Sequence, residues 1–264
     1  MIKTQELWEV FEKFEKFLTI YAVKILRSLN EVFVEAEKEL IEFIKGKHFS
    51  VPIGMLEKKL EKTLNPGEFM EKISRAIFDR FRALTDLVQA LGEKTGKESA
   101  HQPLLEMMEK GETYEIAFSS LTISCLGHSQ AREKLKADLN KFSRSLRWSV
   151  LTILEKDGDP GWLPIYLSFI EDPEPEVARL AVSGLGKTGN SSMASSILPL
   201  LSKKSEVLVI SAIQALGFLR NPSAILPLME LGAATKSEKV RATVASALGE
   251  FPETGTVPML SEFM

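Results

Sequence analysis

The sequence predicts an all-α fold, an α-solenoid of stacked helical hairpins behind a long N-terminal helical cap, and three observations carry the prediction. Leu185-Gly186, Leu216-Gly217 and Leu248-Gly249 each close an apolar, helix-like run, at intervals of 31 and 32 residues, a period that belongs to helical repeats. A second marker follows each of them: Leu198-Pro199-Leu200-Leu201, Leu226-Pro227-Leu228-Met229 and Val257-Pro258-Met259-Leu260. The N-terminal stretch carries apolar residues at steps of three and four, the spacing of an amphipathic helix. A repeat array is a surface that suits almost any ligand, so architecture is legible where the partner is not.

The first segment, residues 1–50, places Leu7, Phe11, Phe14, Leu18, Tyr21, Ile25, Leu29, Val32, Ala36, Leu40 and Phe43 on one stripe. With Trp8, Phe17 and Phe33 added, the stripe is wide and must be covered. An intramolecular cap over the first repeat covers it, and a coiled-coil or dimerisation helix is the alternative. Asn30 bends or divides the helix, and Gly46, His48 and Pro52 form a stop.

Residues 51–144 read as divergent helical repeats. Val51-Pro52-Ile53 starts a first helix, and the run from Phe69 to Leu91-Gly92 is its partner. Pro103-Leu104-Leu105 opens another pair, which ends at Leu126-Gly127. Residues 145–264 hold the regular repeats, after a degenerate unit that ends near Leu154 with Glu155 in the glycine slot. Pro164, Pro199, Pro227 and Pro258 suit helix starts, where the missing N–H costs nothing. The glycine after each terminal leucine suits a left-handed C-cap. Just before that leucine, Ala90, Cys125, Gly184, Ala215 and Ala247 form a slot of small residues for close helix approach, so Cys125 reads as a packing residue.

Asp172-Pro173-Glu174-Pro175-Glu176-Val177, then Ala181, Leu185-Gly186 and Leu198-Pro199-Leu200-Leu201, resembles the HEAT-repeat family. The likeness is to its short bacterial and archaeal units, also found in phycobilisome-lyase relatives. Val240-Arg241 keeps the family's Val-Arg pair, and the aspartate-proline element is intact once. The resemblance implies a right-handed superhelix of antiparallel helix pairs whose second helices line a concave binding face, and it implies no chemistry. The sequence stops soon after Pro258 with a first helix lacking its partner: that helix reads as a cap, or the sequence as one segment of a longer array, and an exposed end favours extension or self-association, beside self-association through the N-terminal helix.

Composition narrows the class. The chain has 264 residues, 44% hydrophobic and 26% charged, the balance of a folded soluble protein. A net charge of -3 supplies no general attraction to nucleic acid or anionic membrane. One cysteine excludes an internal disulfide, and the N-terminus lacks signal-peptide features, so the default location is cytoplasmic. Lys24, Arg27, Asn30 and Glu31 interrupt the most apolar early stretch, so no membrane span is expected.

Chemical motifs are sparse. Ala181 to Thr188, with Gly186-Lys187-Thr188 at its end, fits a permissive phosphate-binding loop. Such a loop needs a strand before it and a helix after it, whereas these residues should end a helix. His48, His101 and His128 are isolated in sequence and read as surface residues, so no metal site is predicted. No Gly-x-Ser-x-Gly elbow is present. No catalytic residue and no cofactor is assigned.

The expected function is a non-enzymatic scaffold or adaptor that binds another protein. Its groove residues, taken from the exposed side of each second helix, are Trp148, Thr152, Arg179, Ser183, Ile210, Gln214, Arg241 and Ser246, with Ala242 beside them. Two alternatives stand. A phycobilin-lyase-like chromophore-binding enzyme or chaperone follows from the resemblance. A nucleic-acid-binding solenoid would use Arg144, Arg147, Arg179 and Arg241, diluted by Glu174, Glu176 and Glu238.

Overall fold

The computed structural model describes residues 4–28 and 66–251. The readings placed on 29–65 and 252–264, including the Asn30 break, the stop at Gly46 to Pro52, the helix start at Val51 and the marker at Pro258, lie outside the described residues. Among those residues the fold is entirely helical, with no strand. The chain divides into two compact units, Ile2–Ile153 and Leu154–Met264.

In the first unit, α1 (Thr4–Ser28) packs on α2 (Pro66–Thr95), α3 (Lys97–Lys110) and α4 (Thr113–Cys125). Its aromatic stripe is buried as the periodicity requires: Leu7, Phe11, Phe14, Phe17, Leu18, Tyr21 and Ile25 are all in the core. Phe14 stacks on Phe118 of α4 at 4.3 Å between ring centroids, and the Tyr21 hydroxyl donates to the Ala100 carbonyl at 3.2 Å. Arg80 of α2 is wholly buried. It donates to the Glu15 carboxylate and to the Ala76 carbonyl and lies 4.8 Å above the Phe11 ring. Arg80 thus ties α1 to α2, while burial still holds the Glu15 carboxyl above its ordinary pKa against the opposing Arg80 charge. Among the described residues, α1 lies against α2, α3 and α4 of the same chain.

Two expectations for this unit change in detail. Pro103 lies inside α3, which begins six residues before it, rather than at a helix start. The helices α5 (Ser129–Leu139) and α6 (Arg144–Asp157) follow α4, and Arg144 forks onto Glu6 of α1, with Nε to Oε2 at 2.8 Å. The division between the units falls within α6.

The second unit is a run of three hairpins. They pair α7 (Leu163–Phe169) with α8 (Pro175–Lys187), a broken first helix (α9, Ala194–Ile197, then a 3-10 turn Leu198–Ser202) with α10 (Glu206–Leu219), and α11 (Ile225–Ala234) with α12 (Glu238–Gly249). The second helices α8, α10 and α12 pack directly on one another, so each hairpin buries its neighbour's face, the stacking of an α-solenoid.

The glycines do different work from the C-caps expected of them. Gly186 lies within α8 and Gly217 within α10. A methyl on Gly186 would stand 2.8 Å from the Ala215 Cα, and one on Gly217 would stand 3.1 Å from the Ala247 Cα. The Leu-Gly glycine of one repeat therefore admits the small-slot residue of the next. Left-handed backbone occurs three residues later, at Gly158, Gly189 and Arg220, and at Gly127 in the first unit. These four positions are 31 residues apart and form a stricter repeat than the leucines. In the second unit an Asx turn follows each one. Asp159, Asn190 and Asn221 accept from the backbone N–H two residues on, at 2.8, 3.2 and 3.0 Å.

Candidate interaction surface

Two second helices, α10 and α12, start on serine caps: Ser205 accepts from the Leu208 N–H and Ser237 from the Val240 N–H. These caps and the Gly–Ala contacts fix the rotation of α10 and α12, and so determine which residues face out. On α10 the outward stripe is Val207, Ile210, Gln214 and Phe218, at helical steps of three and four. Val207 is 43% exposed and Phe218 57%. On α12 the matching positions are Lys239, Ala242, Thr243, Ser246 and Glu250.

Between the two helices runs an open groove of about 400 Å³. Gln214, Gly217 and Phe218 form one wall and Lys239, Ala242, Thr243, Ser246 and Glu250 the other, with Ala247 also contributing. Arg220 reaches the Glu250 carboxylate at 2.7 Å at one end. The wall residues are mostly small or polar, so the exposed Phe218 ring is the largest apolar group in the groove.

Of the residues expected to face a groove, Gln214, Ala242 and Ser246 line this one, and Ile210 lies on the α10 stripe, half-buried. Ser183 is committed to a contact with the preceding hairpin, its hydroxyl donating to Glu155 at 2.7 Å. Trp148 and Thr152 are corrected: they are 1% and 2% exposed and offer no binding surface. The reason lies in α6, where every residue from Trp148 to Leu154 is buried, the polar Ser149 and Thr152 included, so that this stretch of the helix has no outward side. Phe218 and Val207 extend the expected row by one helical step at each end, on the same face of α10 as Ile210 and Gln214. Reading α10 alone at a period of 3.6 finds both.

The arginine row is spent on internal contacts. Arg179 pairs with Glu176 at 2.9 Å, Arg144 with Glu6, Arg147 donates to the Phe142 carbonyl at 2.9 Å, and Arg241 donates to the Thr235 carbonyl at 3.2 Å. The phosphate-loop lookalike lies within α8 and its C-cap, and Lys187 pairs with Glu155, near the end of α6, at 2.7 Å. Burial alone would raise the Glu155 pKa; bonds from Lys187 and Ser183, with the Lys187 and Arg179 charges, outweigh it and hold the carboxyl below its ordinary value.

His101 and His128 are not isolated surface groups, and His48 lies outside the described residues. His101 and His128 meet with Nδ1 and Nε2 2.9 Å apart, and His101 is 5% exposed. Residues 27 positions apart carry no sequence signal of contact, since the hairpin of α3 and α4 creates it. Among the described residues no group of three or more His, Cys, Asp or Glu side chains is arranged to hold a metal ion, and no helix is long and apolar enough to cross a membrane.

No known protein-family profile matches the chain, and no curated protein matches it. Among solved structures, a designed armadillo repeat protein in complex with the peptide (KR)4 is similar over 76% of this chain and 100% of its own, at 16% identity and a TM-score of 0.43. A likeness of that size assigns neither a family nor a ligand.

Proposed function

We propose that this chain is a non-enzymatic helical-repeat scaffold that holds another protein against the exposed, concave side of its second-helix layer, over α10 and the α10–α12 groove. The observation that carries the reading is the stripe Val207, Ile210 and Phe218, which leaves large apolar side chains facing solvent at the centre of a packed layer. Exposed apolar groups rimmed by polar ones mark protein contact surfaces. The polar rim here is Gln214, Lys239, Ser246 and Glu250.

The HEAT-like spacing of residues 145–264 supports the same reading, because stacked hairpins supply a continuous face rather than a closed pocket. The carboxylate pairing of Arg144 and Arg179 weakens the support that nucleic acid drew from the sequence.

Affinity capture from native, nuclease-treated extract tests the proposal, using the intact chain and the Phe218→Asp variant. A protein retained by the former and lost by the latter supports it. Equal recovery by both chains contradicts it.

A further inference from the structure

We propose that the His101–His128 pair is a proton-sensitive latch that joins α3 to the α4–α5 connection beside the open cleft that holds the half-buried Cys125. His101 lies in the first half of α3, whereas His128 occupies the N-cap position of α5. The His128 side chain makes no capping bond to α5, and its ring is turned to His101, with centroids 5.0 Å apart and planes at 70°. Beside the pair lies a cleft of about 410 Å³ lined by Gln89, Glu93, Lys97, His101, Cys125 and Gly127, among others.

The bond between the rings sets its own proton limit. One facing nitrogen must donate and the other accept, so the pair tolerates one added proton. A second makes both nitrogens donors and places two imidazolium rings in contact. Burial holds the His101 pKa below its ordinary value, and the charges of His128 and Lys97 act in the same direction. The other ionisable groups around the site are Glu93 of α2 and Cys125 of α4 in the cleft wall, and Arg132 one turn along α5 from His128. Glu93 alone among them would favour a charged ring, and it is exposed. With a folded pKa below the unfolded one, the closed form is favoured above about pH 6.5 and weakens as pH falls through the folded value. Opening separates α3 from the α4–α5 connection and widens access to the half-buried thiol.

Cys125 is the single cysteine, so its reactivity reports the latch without interference. The full chain is treated with 4,4′-dipyridyl disulfide between about pH 7.5 and 5.5, and each rate is divided by that of glutathione at the same pH, which removes the intrinsic titration of a thiol. The expected result is a relative rate that rises roughly threefold or more as pH falls, with far-UV circular dichroism unchanged. It stays flat in His128→Gln and in His101→Gln, where an amide bonds to the remaining ring at either pH. A flat wild-type profile overturns the latch, as does an equal rise in variants with native dichroism. If neither variant folds, imidazole NMR of the wild type decides: a thiol rise that tracks titration of both rings supports the latch, and one that occurs without it overturns it.

Discussion

The Cα of Ala215 sits 2.8 Å from where a methyl on Gly186 would fall, so two residues from successive repeats leave no room for a side chain between α8 and α10. Gly217 and Ala247 repeat the relationship at 3.1 Å, and at Gly249 nothing among the described residues lies within 4 Å. One sequence slot thus has three different steric environments.

That gradient predicts three different outcomes for one substitution. Gly186→Ala should destabilise by about 1–3 kcal/mol, because the neighbour is backbone and cannot yield without moving a helix. Gly217→Ala should cost about 1 kcal/mol or less, since the shift needed is a few tenths of an ångström. Gly249→Ala should be neutral or stabilise by up to about 1 kcal/mol through helix propensity. Urea unfolding of the three variants measures the series, and equal effects would refute the steric reading.

Arg220 holds a left-handed backbone, φ 50°, at the position where three preceding repeats have glycine. Its N–H still caps α10 by donating to the Leu216 carbonyl at 3.1 Å. Arg220→Gly should therefore raise stability by roughly 0.5 kcal/mol, the relief of the backbone exceeding the loss of an exposed ion pair with Glu250. Thermal unfolding checks the sign.

Glu155 ties α6 to α8 through Ser183 and Lys187. Since its folded pKa is lowered, it contributes stability fully above its ordinary value of about 4.5, and that contribution is lost as pH falls through the lower folded value. Glu155→Gln should flatten stability against pH in that acid window and lower it at neutral pH. A slope identical to that of the parent chain would contradict the assignment.

Arg80 is buried against Glu15 and Phe11. Removing one partner of a buried pair leaves the other's charge uncompensated, so Arg80→Ala should cost about 3 kcal/mol or more. The double change Arg80→Met with Glu15→Gln should cost much less. A double-mutant cycle on denaturant midpoints reads the coupling.

The sequence made the helices legible because apolar periodicity is a local property. The α1 stripe from Leu7 to Ile25 is buried as its spacing requires, and the Leu-Gly beat does mark repeats. The function of the glycines was less legible, because a glycine that ends a helix and one that admits a neighbour look alike in a single chain. The 31-residue step joining Gly127, Gly158, Gly189 and Arg220 was hidden by the arginine. The groove was half legible for a similar reason. Gln214 and Ser246 follow from helix phase alone, whereas the burial of Trp148 and Thr152 depends on what packs around α6.

The central claim concerns which face carries the partner, and site-specific photo-crosslinking tests it most directly. A photoreactive side chain is placed at Phe218, on the outward stripe of α10, or at Ser195, exposed on the broken first helix of the same hairpin. The account predicts a discrete protein adduct from position 218 in native extract and none from 195. An adduct from 195 with none from 218 would contradict it.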